Sequence, residues 1–135
     1  MSKRIRVVGA VITRDGQILC AQRGSGGALP GLWEFPGGKV EPDEAPQVAL
    51  MREIDEELAC AIEVGDEVTT TVHEYDFGTV ELTTFYCELT SGTPRLTEHA
   101  EVRWVHPANL AELPWAPADL PAVAILREKF AADVG

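Results

Sequence analysis

Four carboxylates fall within five residues at Glu53-Ile54-Asp55-Glu56-Glu57, in a segment whose apolar residues recur at helical spacing. The pattern predicts a helix from about Glu44 to Leu58. Asp43 is its expected N-cap, Pro46 lies in the first turn, and Val48, Met51, Ile54 and Leu58 form the expected core-facing stripe. At about 100° per residue, Glu53, Glu56 and Glu57 share one arc and Asp55 points to the opposite side. Like charges at i,i+4 destabilise a helix by roughly 0.2–0.5 kcal/mol per pair, and the C-terminal half is the wrong end of the dipole for anions. A bound cation offsets both effects. Hard divalent ions take oxygen ligands, and Mg²⁺ typically shares one or two carboxylates with substrate phosphates and water. The alternative is a solvated acidic face, the usual fate of a charge run.

The remaining pattern is that of a sheet. Residues 5–12 and 17–22 are apolar runs joined by Asp15-Gly16, a hairpin-type pair. Residues 24–38 are rich in Gly and Pro and read as a long loop, interrupted by Leu32-Trp33-Glu34-Phe35. Residues 61–72 and 79–89 are strand-like. In the second, Val80, Leu82, Thr84 and Tyr86 alternate with Glu81, Thr83, Phe85 and Cys87. Val102-Arg103-Trp104-Val105 is a further short strand. A final helix is expected from about Ala118 to Ala132, packing through Leu120, Val123, Ala124, Leu126 and Phe130. Strands mixed with two helices predict a mixed β-sheet with helices on its faces.

Charge and cysteine usage narrow the partners. A net charge of −11 repels a nucleic-acid polymer but suits a small phosphate ligand bridged by metal ions. No apolar run approaches the roughly 20 residues of a membrane helix. Cys20, Cys60 and Cys87 have no metal-type spacing, so a reducing, cytoplasmic setting is expected. His73, His99 and His106 show no ligand spacing.

The stretch from Gly38 to Cys60 resembles the Nudix box, which reads G, five residues, E, seven residues, R-E-U-x-E-E-x-G-U, with U apolar. Gly38, Glu44, Arg52-Glu53, Ile54, Glu56-Glu57 and Cys60 match in place. Ala21-Gln22-Arg23, the segment Leu32 to Lys39 and the segment Trp115 to Pro121 look like the MutT branch, and within it most like CTP pyrophosphohydrolases. One position departs: Ala59 stands where the box has its helix-ending glycine. A positive φ is expected there, at which alanine costs on the order of 1 kcal/mol.

The resemblance implies one Nudix hydrolase domain over residues 1–135, with the box at 38–60, folded as an α/β/α sandwich. It implies metal ligation by Glu53, Glu56, Glu57 and the Gly37 carbonyl, with Mg²⁺ as the ion and Mn²⁺ as the alternative. Glu98 stands where such enzymes place a further ligand or base, or it is an ordinary loop acid. Glu44 takes a supporting place and Arg52 pairs with the carboxylates. Arg23 is matched to the phosphate chain, with Lys39 assisting, or is simply exposed at a strand end. Phe35 and Phe77 are candidates for stacking on a base, or for core packing.

The implied reaction is hydrolysis of a nucleoside triphosphate to the monophosphate and pyrophosphate by a monomer or homodimer, with Glu53, Glu56, Glu57 or Glu98 as base. Asp119, read as an ionised acceptor, suits the exocyclic amino group of cytosine; its alternative is the N-cap of the last helix. An enzyme clearing 8-oxo-dGTP and a nucleotide sensor without turnover are the competing functions.

Overall fold

The computed structural model describes residues 4–94 and 101–134, the side chains of 130–134 excepted. Its elements in chain order are β1 (Arg4–Arg14), β2 (Gln17–Gln22), β3 (Trp33–Glu34), β4 (Gly37–Lys39), α1 (Pro46–Leu58), β5 (Ala61–Tyr75), β6 (Gly78–Ser91), β7 (Glu101–Val105) and α2 (Leu120–Val134). Among the described residues these strands form one mixed seven-stranded sheet of order β3-β2-β1-β6-β5, with β4 beside β1 and β7 beside β2. β1 runs parallel to β6, while β2 and β4 lie antiparallel to it. The turn at Asp15-Gly16 has both φ angles positive, 53° and 78°, as a tight hairpin requires.

The continuous apolar run of β1 makes it central, because both its faces are covered. Val8, Ala10 and Ile12 face α1, together with Leu19 and Phe85. Val11 faces the other way, with Ile18 and Cys20, onto Trp33, Trp115 and the Ala122, Val123 and Leu126 side of α2. The two helices therefore flank the sheet. The same double coverage explains why β6 buries Thr84 and Phe85 alike in place of the simple alternation expected.

Four expectations need correction. Helix α1 begins at Pro46, not Glu44, and Asp43 is no cap: it sits at φ 66°, and Ala45 precedes the helix with no side-chain cap. Proline holds the residue before it in the extended region, so Ala45 cannot join the helix. The buried face of α1 is Ala49, Leu50, Ile54 and Leu58, whereas Val48 and Met51 are about half exposed. Turning the Leu50–Ile54–Leu58 row to the sheet also brings Glu53 and Glu57 against it. The loop read over residues 24–38 contains the short strand β3, within its expected interruption, and the start of β4. Finally, Pro117–Asp119 form a 3-10 turn before α2, whose Leu120 and Ala124 are exposed. Phe130 lies outside the described side chains and Glu98 outside the described residues.

Candidate active site

Strand β4 runs between β1 and α1, and its two glycines make that approach close. A Cβ on Gly37 would overlap the Val8 carbonyl oxygen, and one on Gly38 would overlap the Glu53 carboxylate. Only hydrogen fits at Gly37, where the clash is with backbone, whereas a methyl at Gly38 would push the Glu53 side chain aside; the backbone therefore meets the acidic helix face directly.

Arg52 organises the neighbouring acids. Its guanidinium donates to both Glu44 carboxylate oxygens at 2.9 Å, to Glu53 at 2.8 Å, to Glu56 at 3.4 Å and to the Lys39 carbonyl at 3.1 Å. Glu44 lies in the loop before α1, where it also accepts from the Glu41 N–H at 3.0 Å. The Arg52 guanidinium, aided by that N–H, holds the Glu44 carboxyl down at about 2, and the same acids push the Arg52 pKa up. Among the described residues no three acid, histidine or cysteine side chains converge as a ready metal cluster. Glu53, Glu56 and Glu57 share the helix arc, but Arg52 draws the first two toward itself. The donor set still fits a hard divalent cation: carboxylates and a backbone carbonyl, all oxygen, at a place where no side chain intervenes.

Glu57, Gly37, Gly38 and Lys39 line a cavity of about 600 Å³. Arg23, Glu34, Phe35, Phe77 and Asp119 line it as well, so it brings together most of the residues singled out from the sequence. Arg23 donates to Glu34 at 2.7 Å and to the Ala28 carbonyl at 2.7 Å. Both partners line the same cavity as Arg23 itself, whose side chain stays partly exposed. Phe35 is 3% exposed and packs on Trp115 at a ring distance of 4.8 Å, whereas Phe77 is 47% exposed. Of the two rings, Phe77 is the one available to a ligand.

Asp119 is 5% exposed, and its Oδ1 accepts from the Phe35 N–H at 3.1 Å. Its carboxylate thus ties the 3-10 turn to the segment between β3 and β4 and does not cap α2. Burial pushes its pKa from 3.8 to about 8, against the opposing pull of the Phe35 N–H. That burial disfavours the ionised acceptor assumed from the sequence and favours the neutral carboxyl, a group that can both donate and accept.

Two cavity residues carry no functional signal of their own in the sequence. Glu34 stands inside a motif without a distinct role there. Tyr75, at the end of β5, shows nothing beyond strand alternation. Both become visible once β2, β3 and β5 converge on one space. The cysteines take no part: all are free and buried, and burial raises the Cys20 and Cys87 thiols to about 12.

The NUDIX domain family matches residues 7–124. The chain is 43% identical over 119 residues to the CTP pyrophosphohydrolase of Escherichia coli K12, covering 88% of each. It is 36% identical, over an alignment of 144 residues, to the "Putative 8-oxo-dGTP diphosphatase 2" of Mycobacterium tuberculosis, covering 99% of this chain and 97% of that one. A solved MutT structure of the Nudix hydrolase family, from methicillin-resistant Staphylococcus aureus 252, is 53% identical with a TM-score of 0.79. That match covers 96% of this chain and 99% of the other. The chain belongs to the NUDIX domain family, and it is a Nudix hydrolase of the MutT-like kind.

Proposed function

We propose that residues 1–135 form one hydrolase domain that cleaves a nucleoside triphosphate to the monophosphate and pyrophosphate, acting on cytosine nucleotides. The observation that carries this reading is a single cavity lined by Glu57, the paired glycines and buried Asp119 together. A phosphate chain and a base can then occupy one site together.

Glu53, Glu56, Glu57 and the Gly37 carbonyl would hold Mg²⁺ or Mn²⁺, with Glu98 as a further candidate. The ion would neutralise phosphate charge and lower the pKa of a water. Glu57, in the cavity wall, faces the reacting end. Arg52 and Glu44 hold Glu53 in place, and Gly38 leaves room for it. Arg23 and Lys39 supply positive charge to an anionic chain that a protein of net charge −11 would otherwise repel. Phe77 offers a ring face to the base.

Protonated Asp119 can donate to cytosine N3 and accept from the N4 amino group, which stand side by side. The likeness to a CTP pyrophosphohydrolase supports the same base. A second reading is favoured by the same proton: a neutral carboxyl also complements the O6 and N1–H edge of a guanine. The M. tuberculosis relative named for 8-oxo-dGTP points that way. We place the enzyme in the cytoplasm; consistent with this, no helix among the described residues is long and apolar enough to cross a membrane.

The test is phosphate release, with added pyrophosphatase, from CTP, dCTP, 5-methyl-dCTP and 8-oxo-dGTP in Mg²⁺ or Mn²⁺. The cytosine nucleotides should have the highest kcat/KM. A higher value for 8-oxo-dGTP selects the second reading. No release from any nucleotide with either ion refutes catalysis and leaves a binding domain.

A further inference from the structure

Asp119 is fixed to its surroundings at two points, and the second depends on a side chain from the far end of the sheet. The Ala118 N–H, one residue before Asp119, donates to the Tyr75 hydroxyl at 2.8 Å. Tyr75 ends β5 opposite Gly78 in β6, so its backbone belongs to a paired strand while the Pro117–Asp119 turn does not. Its ring lies flat against Phe77, with centroids 5.0 Å apart and planes at 8°, and tilts against His73 at 4.5 Å. Tyr75, Phe77 and Asp119 all line the cavity.

A phenol hydroxyl lies in the plane of its ring, so an N–H accepted there fixes the donor's position as well as its distance. Burial raises the Tyr75 pKa, and the hydroxyl stays protonated across the working range. We infer that Tyr75 is a positioning residue for base selection: its hydroxyl sets the register of the Asp119 turn, and its ring backs Phe77. One side chain then sets the separation between an edge-reading group and a stacking face. Selectivity between bases depends on that separation, since a misplaced buried polar group is left unpaired against the correct base as well as the wrong one.

This inference rests on the nucleotide-binding reading above, and the experiment separates the two. Dissociation constants for nonhydrolysable α,β-imido CTP and α,β-imido GTP are measured by calorimetry with Mg²⁺. The chains are the unaltered protein, Tyr75→Phe, Phe77→Leu, Asp119→Asn and the Tyr75→Phe/Asp119→Asn pair. Tyr75→Phe keeps the ring and deletes the hydroxyl. It should shrink the ratio of the two constants at least fivefold while the melting temperature moves by less than about 3 °C. Phe77→Leu should weaken both analogues and leave the ratio within twofold. On the Asp119→Asn background, Tyr75→Phe should change the ratio by less than twofold, because the group it positions has already been altered.

Turnover of CTP by Tyr75→Phe should show the larger change in KM and the smaller in kcat. The inference is overturned by an unchanged ratio in Tyr75→Phe, by an equal effect with and without Asp119, or by an unaltered protein that does not distinguish the bases. Lack of hydrolysis by the unaltered protein refutes the catalytic reading alone, because the binding ratio is still measured.

Discussion

Ala59 ends α1 at φ 55° and ψ 39°, with its N–H bonded to the Asp55 carbonyl at 3.1 Å. The left-handed conformation costs a non-glycine residue roughly 1–2 kcal/mol. Replacing Ala59 with glycine removes that cost but gives the unfolded chain more freedom, which offsets about 0.4–1 kcal/mol. The Ala59 methyl is on an exposed residue, so little packing is lost. Ala59→Gly should therefore stabilise the protein by about 0–1.6 kcal/mol, centred near 0.8, which at the centre is about 2–4 °C in melting temperature for a chain of this size. Urea denaturation should show a higher midpoint with the slope unchanged, which assigns the gain to stability and not to a changed denatured state. Ala59→Val should move the other way, because a β-branched residue tolerates positive φ least. Activity should stay within twofold in Ala59→Gly, since the carboxylates keep their places. A destabilising Ala59→Gly would refute the strain argument.

Gly38→Ala would place a methyl on the Glu53 carboxylate. Circular dichroism should show the fold retained, while kcat/KM falls at least tenfold and the Mg²⁺ concentration for half-maximal rate rises. Glu57→Gln removes a charge from the cavity wall and should lower kcat by about 10²-fold or more, read by the same phosphate-release assay. The pH dependence of stability should expose Asp119. Its native pKa of about 8 lies above the ordinary 3.8, so the folded state binds more protons between those values. Its contribution is fully present below about pH 4 and is lost as pH rises through about 8. The stability of the unaltered protein relative to Asp119→Asn should fall across that window and level off above it. Urea titrations at pH 5, 7 and 9 check the sign; a difference that stays flat from pH 5 to 9 would show Asp119 to be ionised in the folded protein.

The sequence by itself determined what short-range spacing controls. The 3.6-residue period puts Glu53, Glu56 and Glu57 on one arc. Asp15-Gly16 specifies its turn through two positive φ values; the helix end at Ala59 was legible only through the resemblance, because alanine itself carries no stop signal. The apolar run of β1 announces a strand covered on both faces. These features depend on a residue and its near neighbours, so they can be read without the fold. Tertiary contact decided the rest. Two faces of α1 are similarly apolar, and only docking against the sheet selects Leu50 over Val48 and Met51. The raised pKa of Asp119 follows from burial, a property of everything around it and of nothing beside it in the chain. Tyr75 lies 44 positions from Asp119 in the numbering and enters the site only because β5 ends where the 3-10 turn begins. Arg52 reaching back to Glu44 lies between the two cases: the box spacing pairs them, but Pro46 frees Glu44 from the helix and lets it meet the guanidinium.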